Sequence, residues 1–191
     1  MKNEKKYDNI IDESKTSESE YLSQYENKYG KLTGYIKFKT PDGSIYEGDY
    51  VNGDLHGQGK STGSDGTVYK GEWKDGNKHG MGELTLINGT SYLGQWKAGK
   101  EHGIGTKTKL IFNNKGGNSY SMAEEKYEGK WKAGKEHGIG KFTFTDGAIY
   151  EGEWKEGEMH GKGIQTWADG FIYEGQWKYG TFHGKGRISD M

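Results

Sequence analysis

The 191-residue chain has no cysteine, so disulfides and thiolate metal sites are excluded. It has one proline, and no stretch approaching the roughly 20 apolar residues that span a bilayer. Its first residues lack the apolar run of a signal peptide, so a soluble intracellular protein is expected. It also lacks a charge excess. With 27 basic and 28 acidic residues, net charge is −1, against the surplus expected of a nucleic-acid binder. The same balance weakens attraction to anionic lipid. Hydrophobic residues reach only 30%, which is thin for an ordinary globular core.

Glycine and aromatics fill the gap, with 34 Gly and 14% Phe, Trp and Tyr. The glycines are periodic, so they read as backbone devices rather than as signs of disorder. From residue 46 onward one pattern recurs six times: Tyr-x-Gly-x-aromatic, a Gly, then His-Gly-x-Gly. The copies start at Tyr46, Tyr69, Tyr92, Tyr127, Tyr150 and Tyr173, spaced 23, 23, 35, 23 and 23 residues apart. A fixed period marks a stacked array, which offers a long surface rather than a buried reaction chamber.

Within a copy, Tyr150, Gly152 and Trp154 alternate with Glu151 and Glu153. Period two places the rings on one face of a strand and the carboxylates in water. A Gly-centred turn follows (Gly53, Gly76, Gly99, Gly134, Gly157, Gly180), and a second strand is expected after His-Gly-x-Gly. Asp65-Gly66, Asn88-Gly89, Asp146-Gly147 and Asp169-Gly170 are hairpin turns leading to the next Tyr. Each copy is therefore one hairpin. The fold expected is all-β, an elongated single-layer antiparallel meander of stacked β-hairpin repeats. Two strands per copy advance the stack about 10 Å, giving about 60 Å in all. A lone hairpin is marginal, so stability must come from aromatics stacked between neighbours.

The organisation expected is 1–30 as an N-terminal tail or short helix, 31–45 as a degenerate capping half-repeat, and 46–191 as six repeats. Ser17 and Glu20 are spaced as a capping box, and Tyr21, Leu22, Tyr25 and Tyr29 share a helical stripe ended by Gly30. A solvated tail is the alternative. Residues 107–126 fall in the long interval and read as an extended hairpin insertion around an Asn/Gly-rich turn.

These residues resemble the MORN-repeat family (membrane occupation and recognition nexus). Five copies carry its Trp, at Trp73, Trp96, Trp131, Trp154 and Trp177, and the first has Tyr50 instead. The resemblance implies grooved hairpin arrays that bind partner proteins, in cytoskeletal, ciliary or membrane-junction settings. Phosphoinositide binding has been proposed for the family.

No catalytic, cofactor or metal site emerges. The six histidines (His56, His79, His102, His137, His160, His183) hold one repeat position, about 10 Å apart, too far to share a zinc. Each is expected to be structural, its imidazole hydrogen-bonded to the turn. Gly57-Gln58-Gly59-Lys60-Ser61 lacks the leading Gly of a phosphate loop, since Asp54 stands there. Glu151, Glu153, Glu156 and Glu158 alternate with Lys on a wet face, without the desolvated cleft an acid–base pair needs.

The rings remain: Tyr46, Tyr50, Tyr69, Trp73, Tyr92, Trp96, Tyr127, Trp131, Tyr150, Trp154, Tyr173 and Trp177. They form ladders that serve as core, as a partner-binding groove, or as both. The expected function is a non-catalytic scaffold that clamps a protein partner, in a ciliary, axonemal or other cytoskeletal assembly of the cytoplasm. The alternative is a membrane-surface adaptor reading phosphoinositides through Lys74, Lys97, Lys132, Lys155 and Lys178. Self-association through the C-terminal copy is a further expectation, because an open strand edge invites pairing.

Overall fold

The computed structural model describes residues 33–114 and 120–190. Among them every regular element is a β-strand. The short helix considered for the N-terminal residues lies outside the described residues, as does the tip of the insertion. The chain divides into two units, residues 1–87 and 88–191.

Unit one holds β1 (Gly34–Lys39), β2 (Ile45–Val51), β3 (Asp54–Thr62), β4 (Val68–Lys74) and β5 (Asn77–Thr85). Unit two holds β6 (Ser91–Lys97), β7 (Lys100–Asn114), β8 (Tyr120–Lys132), β9 (Lys135–Thr143), β10 (Ile149–Lys155), β11 (Glu158–Thr166), β12 (Ile172–Lys178) and β13 (Thr181–Ser189). Within each unit, consecutive strands pair antiparallel in chain order, the meander that serial hairpins dictate.

Two turn types alternate. The tight one is a two-residue loop at 52–53, 75–76, 98–99, 133–134, 156–157 and 179–180. Both residues have positive φ, for example 52° at Ala133 and 87° at Gly134. That is the backbone of a type I′ hairpin, whose twist matches the flanking strands. Successive turns dock on one another: the Gly134 amide donates to the Glu101 carbonyl at 2.9 Å, and Gly157 to Glu136 at 3.0 Å. The wider turn is an Asx-turn. Asp146 Oδ1 accepts the Ala148 amide at 2.9 Å, and Asp65 Oδ1 accepts that of Thr67 at 2.9 Å.

Ala98 and Ala133 hold left-handed φ with a Cβ and no local hydrogen bond to offset it, a strain Asn tolerates. Ala98→Asn with Ala133→Asn is expected to stabilise unit two by about 1 kcal/mol in sum. Urea denaturation followed by tryptophan fluorescence measures it.

His-Gly-x-Gly does not precede the second strand of each hairpin but lies inside it. β9 begins at Lys135, two residues before His137. The glycine after His adopts positive φ (54° at Gly80, 60° at Gly103) and the register slips there. In the β4–β5 pair, Gly71 faces Gly82 and Glu72 faces His79, so Gly80 and Met81 bulge out. In three copies the Glu or Gln three residues after the Tyr closes the bulge. Glu72 accepts the Met81 amide at 2.9 Å, Gln95 that of Ile104 at 2.8 Å, and Glu153 that of Lys162 at 2.9 Å.

β7 and β8 run beyond their neighbours, staying paired from Gly103 opposite Trp131 out to Asn114 opposite Tyr120. The β6 partner strand ends at Ser91, opposite Thr108, and β9 at Thr143, opposite Lys126.

Candidate partner-binding face

A row of glycines crosses unit two. Gly94, Gly105, Gly129, Gly140, Gly152, Gly163, Gly175 and Gly186 stand opposite one another strand by strand. A tyrosine ring folds over each pair. A Cβ on Gly140 would lie 2.5 Å from Tyr127 Cζ, and one on Gly163 would lie 2.5 Å from Tyr150 Cε2. Each phenol then donates to the carbonyl three residues on, as Tyr127 does to Lys130 at 2.8 Å and Tyr150 to Glu153 at 2.9 Å.

Tryptophans lock between these rings. Trp131 sits edge-to-face with Tyr92 and with Tyr127, each at 5.1 Å. Trp154 does the same with Tyr127 at 5.1 Å and Tyr150 at 5.3 Å, and Trp177 with Tyr150 at 5.0 Å and Tyr173 at 5.4 Å. The indole of Trp131 donates to the Gly105 carbonyl at 3.0 Å, and that of Trp154 to Gly140 at 3.2 Å. In unit one Tyr69 and Trp73 pair likewise at 5.0 Å.

Eleven of the twelve rings singled out from sequence are buried, and Tyr46 is half-buried. They fill the core role of the two considered. What they leave for a partner is the layer beside them. Each Tyr has a cross-strand neighbour that varies from copy to copy: Leu84, Lys107, Phe142, Gln165 and Ile188. Directly opposed residues share a face, so these side chains stand among the tyrosines. Phe142, Phe144 and Trp167 are half-buried there, and Phe182 is half exposed against Tyr173 and Trp177 at 4.1 and 4.7 Å. They fall outside the repeating pattern, and their signal in the sequence is the departure itself: Phe142 stands where sibling copies have Ser, Leu or Lys, Phe144 and Trp167 where they have Gly, Leu or Lys, and Phe182 where they have Leu, Lys, Glu or Met.

Two of the histidines reach the neighbouring hairpin's turn rather than their own, and a third, His137, buries Nδ1 without a hydrogen-bond partner among the described residues. His56 Nδ1 lies 3.6 Å from Asp75 Oδ1, and the His160 ring packs on Tyr179 at 5.9 Å. Among the described residues no three His, Asp or Glu side chains gather as a metal-holding group. No helix there is long and apolar enough to cross a membrane.

Burial, with a smaller push from the Glu153 carboxylate, raises the Tyr150 phenol to about 12; burial also raises Tyr69, Tyr92 and Tyr127. In the unfolded chain these groups ionise near pH ~10. Stability is thus fully held below that pH and is lost as pH climbs from about 10 through 12, the unfolded state giving up its protons first. The urea midpoint is expected to fall across that interval; a flat midpoint refutes the protonated, buried ring.

The fold and this face define a β-hairpin repeat protein whose core is a zipper of Tyr and Trp. The family model for the MORN repeat matches residues 46–68, 69–91, 92–109, 127–149, 150–171 and 173–189, and the chain belongs to that family. No curated protein matches it. Among solved structures it is similar to the TCP domain of Drosophila melanogaster SAS-4 (dCPAP), in complex with a proline-rich motif of Ana2 (dSTIL). Identity is 11%, TM-score 0.45, and the match covers 84% of this chain and 88% of that one.

Proposed function

We propose that the chain is a non-catalytic scaffold that holds a partner protein along the aromatic face of unit two, in a ciliary, axonemal or other cytoskeletal assembly. The consensus rings from Tyr92 to Trp177 are the floor of that groove, and Phe142, Phe144, Trp167 and Phe182 are its contact layer. One observation carries the reading: aromatics beyond those the zipper uses stand partly exposed on the zipper's own face. Accessible apolar strips of this kind are where partners bury area. The cytoskeletal setting follows from the family resemblance alone.

Proximity labelling in cells tests it. Phe142→Asp with Phe182→Asp leaves the zipper rings in place and is expected to lose the protein neighbours that the unaltered chain labels. An unchanged set of labelled proteins, with β-sheet circular dichroism intact, retires the groove.

A second reading, a phosphoinositide-binding adaptor, has one observation in its favour. Lys97 stands directly opposite Lys100, and Lys132 opposite Lys135, beside stacked tight turns. Opposed like charges destabilise a sheet and gain a rationale from an anionic ligand. Glu156 blunts the row, lying 3.4 Å from Lys135. Sedimentation with phosphoinositide vesicles, fading with salt, would favour this reading.

A further inference from the structure

The outer edge of β13 is open. Among the described residues β13 pairs with β12 alone, and all 9 of its residues are exposed. Its siblings β7, β9 and β11 each carry a further strand, always in one register. Trp131 faces Gly103, Trp154 faces Gly138 and Trp177 faces Gly161. Each indole donates to the carbonyl two residues on, at Gly105, Gly140 and Gly163, over 3.0, 3.2 and 3.3 Å. β13 repeats this receiving half as Gly184 and Gly186. The last ring of the zipper differs too. Tyr92, Tyr127 and Tyr150 are each held edge-on by two tryptophans, whereas among the described rings Tyr173 has only Trp177, at 5.4 Å. Its other ring contact, Phe182, is tilted at 33° and stays 50% exposed, so it closes the zipper incompletely.

We infer that β13 receives an extended segment of a partner protein as an added strand, with an aromatic of that segment facing Gly184 and carboxylates facing Lys185 and Arg187. This rests on the scaffold reading above and extends it from the aromatic face to its edge. Backbone groups along an open edge supply the affinity of strand addition, and alternate side chains supply its specificity. The array's register fixes the positions. On β11, Gly161, Lys162, Gly163 and Ile164 meet Trp177, Gln176, Gly175 and Glu174. By the same register Gly184 meets the aromatic, Lys185 the residue one before it, and Arg187 the residue three before it. The aromatic then reaches Tyr173 and the Gly186 carbonyl, as the interior tryptophans reach theirs. Lys141 shows what the cations ask for, standing between Glu128 on one strand and Glu151 on the other. Arg187 has the inner half of that arrangement, Glu174 at 2.6 Å. A second copy fits poorly. If β13 met β13 antiparallel with Gly184 facing Gly186, Lys185 would face Lys185 and His183 would face Arg187. Opposed like charges destabilise a sheet, so the edge turns its own copy away and admits an acidic strand.

The probe is the acetylated, amidated peptide Ile-Tyr-Glu-Gly-Glu-Trp-Lys, the chain's own residues 149–155, which carries the aromatic and both carboxylates in register. It is titrated into the full chain labelled with ¹⁵N. Saturable shifts centred on β13 are expected in the millimolar range, with slowed amide exchange along that strand. Trp154→Ala in the peptide is expected to weaken binding about tenfold. Glu151→Lys with Glu153→Lys in the peptide is expected to weaken it about threefold to tenfold. Gly152→Pro in the peptide is expected to lose binding, because proline does not fit inside a strand ladder. Lys185→Glu in the chain is expected to reverse the order of the acidic and basic peptides. No shift at β13, or shifts that ignore Trp154→Ala and Gly152→Pro, overturns the assignment. So does unlabelled chain that reproduces the shifts without peptide, which would make a second copy the occupant. These failures are separable from failure of the scaffold: partners still labelled in cells by a chain whose edge ignores the peptide retire this edge alone.

Discussion

Gly140→Ala is expected to cost unit two about 3 kcal/mol, from overpacking plus the loss of a phenol hydrogen bond. The added methyl has nowhere to go. Its Cβ would meet the Tyr127 ring 2.5 Å from Cζ and 2.6 Å from Cε2. That ring cannot retreat, because Trp131 and Trp154 each hold it edge-on at 5.1 Å. Lifting it would also break its 2.8 Å bond to the Lys130 carbonyl. Gly147→Ala is the control. Gly147 sits in the wide turn with φ of 88° and nothing within 4 Å of an added Cβ. Only left-handed strain applies there, about 1–2 kcal/mol. Urea unfolding of the two variants side by side checks the order. Equal losses would mean that the glycine row serves backbone flexibility rather than ring clearance.

The zipper was legible from sequence because each of its parts repeats. Gly between Tyr and Trp, at period two, requires a strand with both rings on one face and nothing beneath them. The recurring Gly after each Trp or Tyr50 marked one turn, and Asp-Gly or Asn-Gly pairs marked the other. Three things were hidden by the same regularity. The bulge at His-Gly leaves no trace in an alternation count, although Glu or Gln three residues after Tyr, at Glu72, Gln95 and Glu153, is the acceptor that closes it. The direction of His56 and His160 depends on which hairpin stacks next, a long-range fact. The contact layer is what the repeat does not repeat. Gln165 and Phe142 occupy one register position and are chemically unalike, so a reading tuned to the period treats them as noise. An array's fold is set by its shared residues, whereas partner choice is left to its unshared ones.

Trp131→Ala is the second large effect, expected at about 3–5 kcal/mol, the range for emptying a buried aromatic site. Trp131 is 3% exposed and is the common neighbour of Tyr92 and Tyr127. Its removal strips an edge-to-face partner from both tyrosines and orphans the Gly105 carbonyl 3.0 Å away. Trp131→Phe keeps a ring and loses the indole donor, so about 1 kcal/mol of hydrogen bonding goes with it and the rest is retained. The zipper makes a further demand on the double variant. Trp131 and Tyr127 touch, so Trp131→Ala with Tyr127→Ala should cost less than the two single losses together, by about 0.5–1.5 kcal/mol. Trp131→Ala with Tyr173→Ala, whose rings share no partner, should add. Strict additivity in both pairs would mean the rings stabilise the sheet by burial alone. Coupling confined to the touching pair would show that a buried ring is felt through its two neighbours, which is how copies too small to fold alone hold one another.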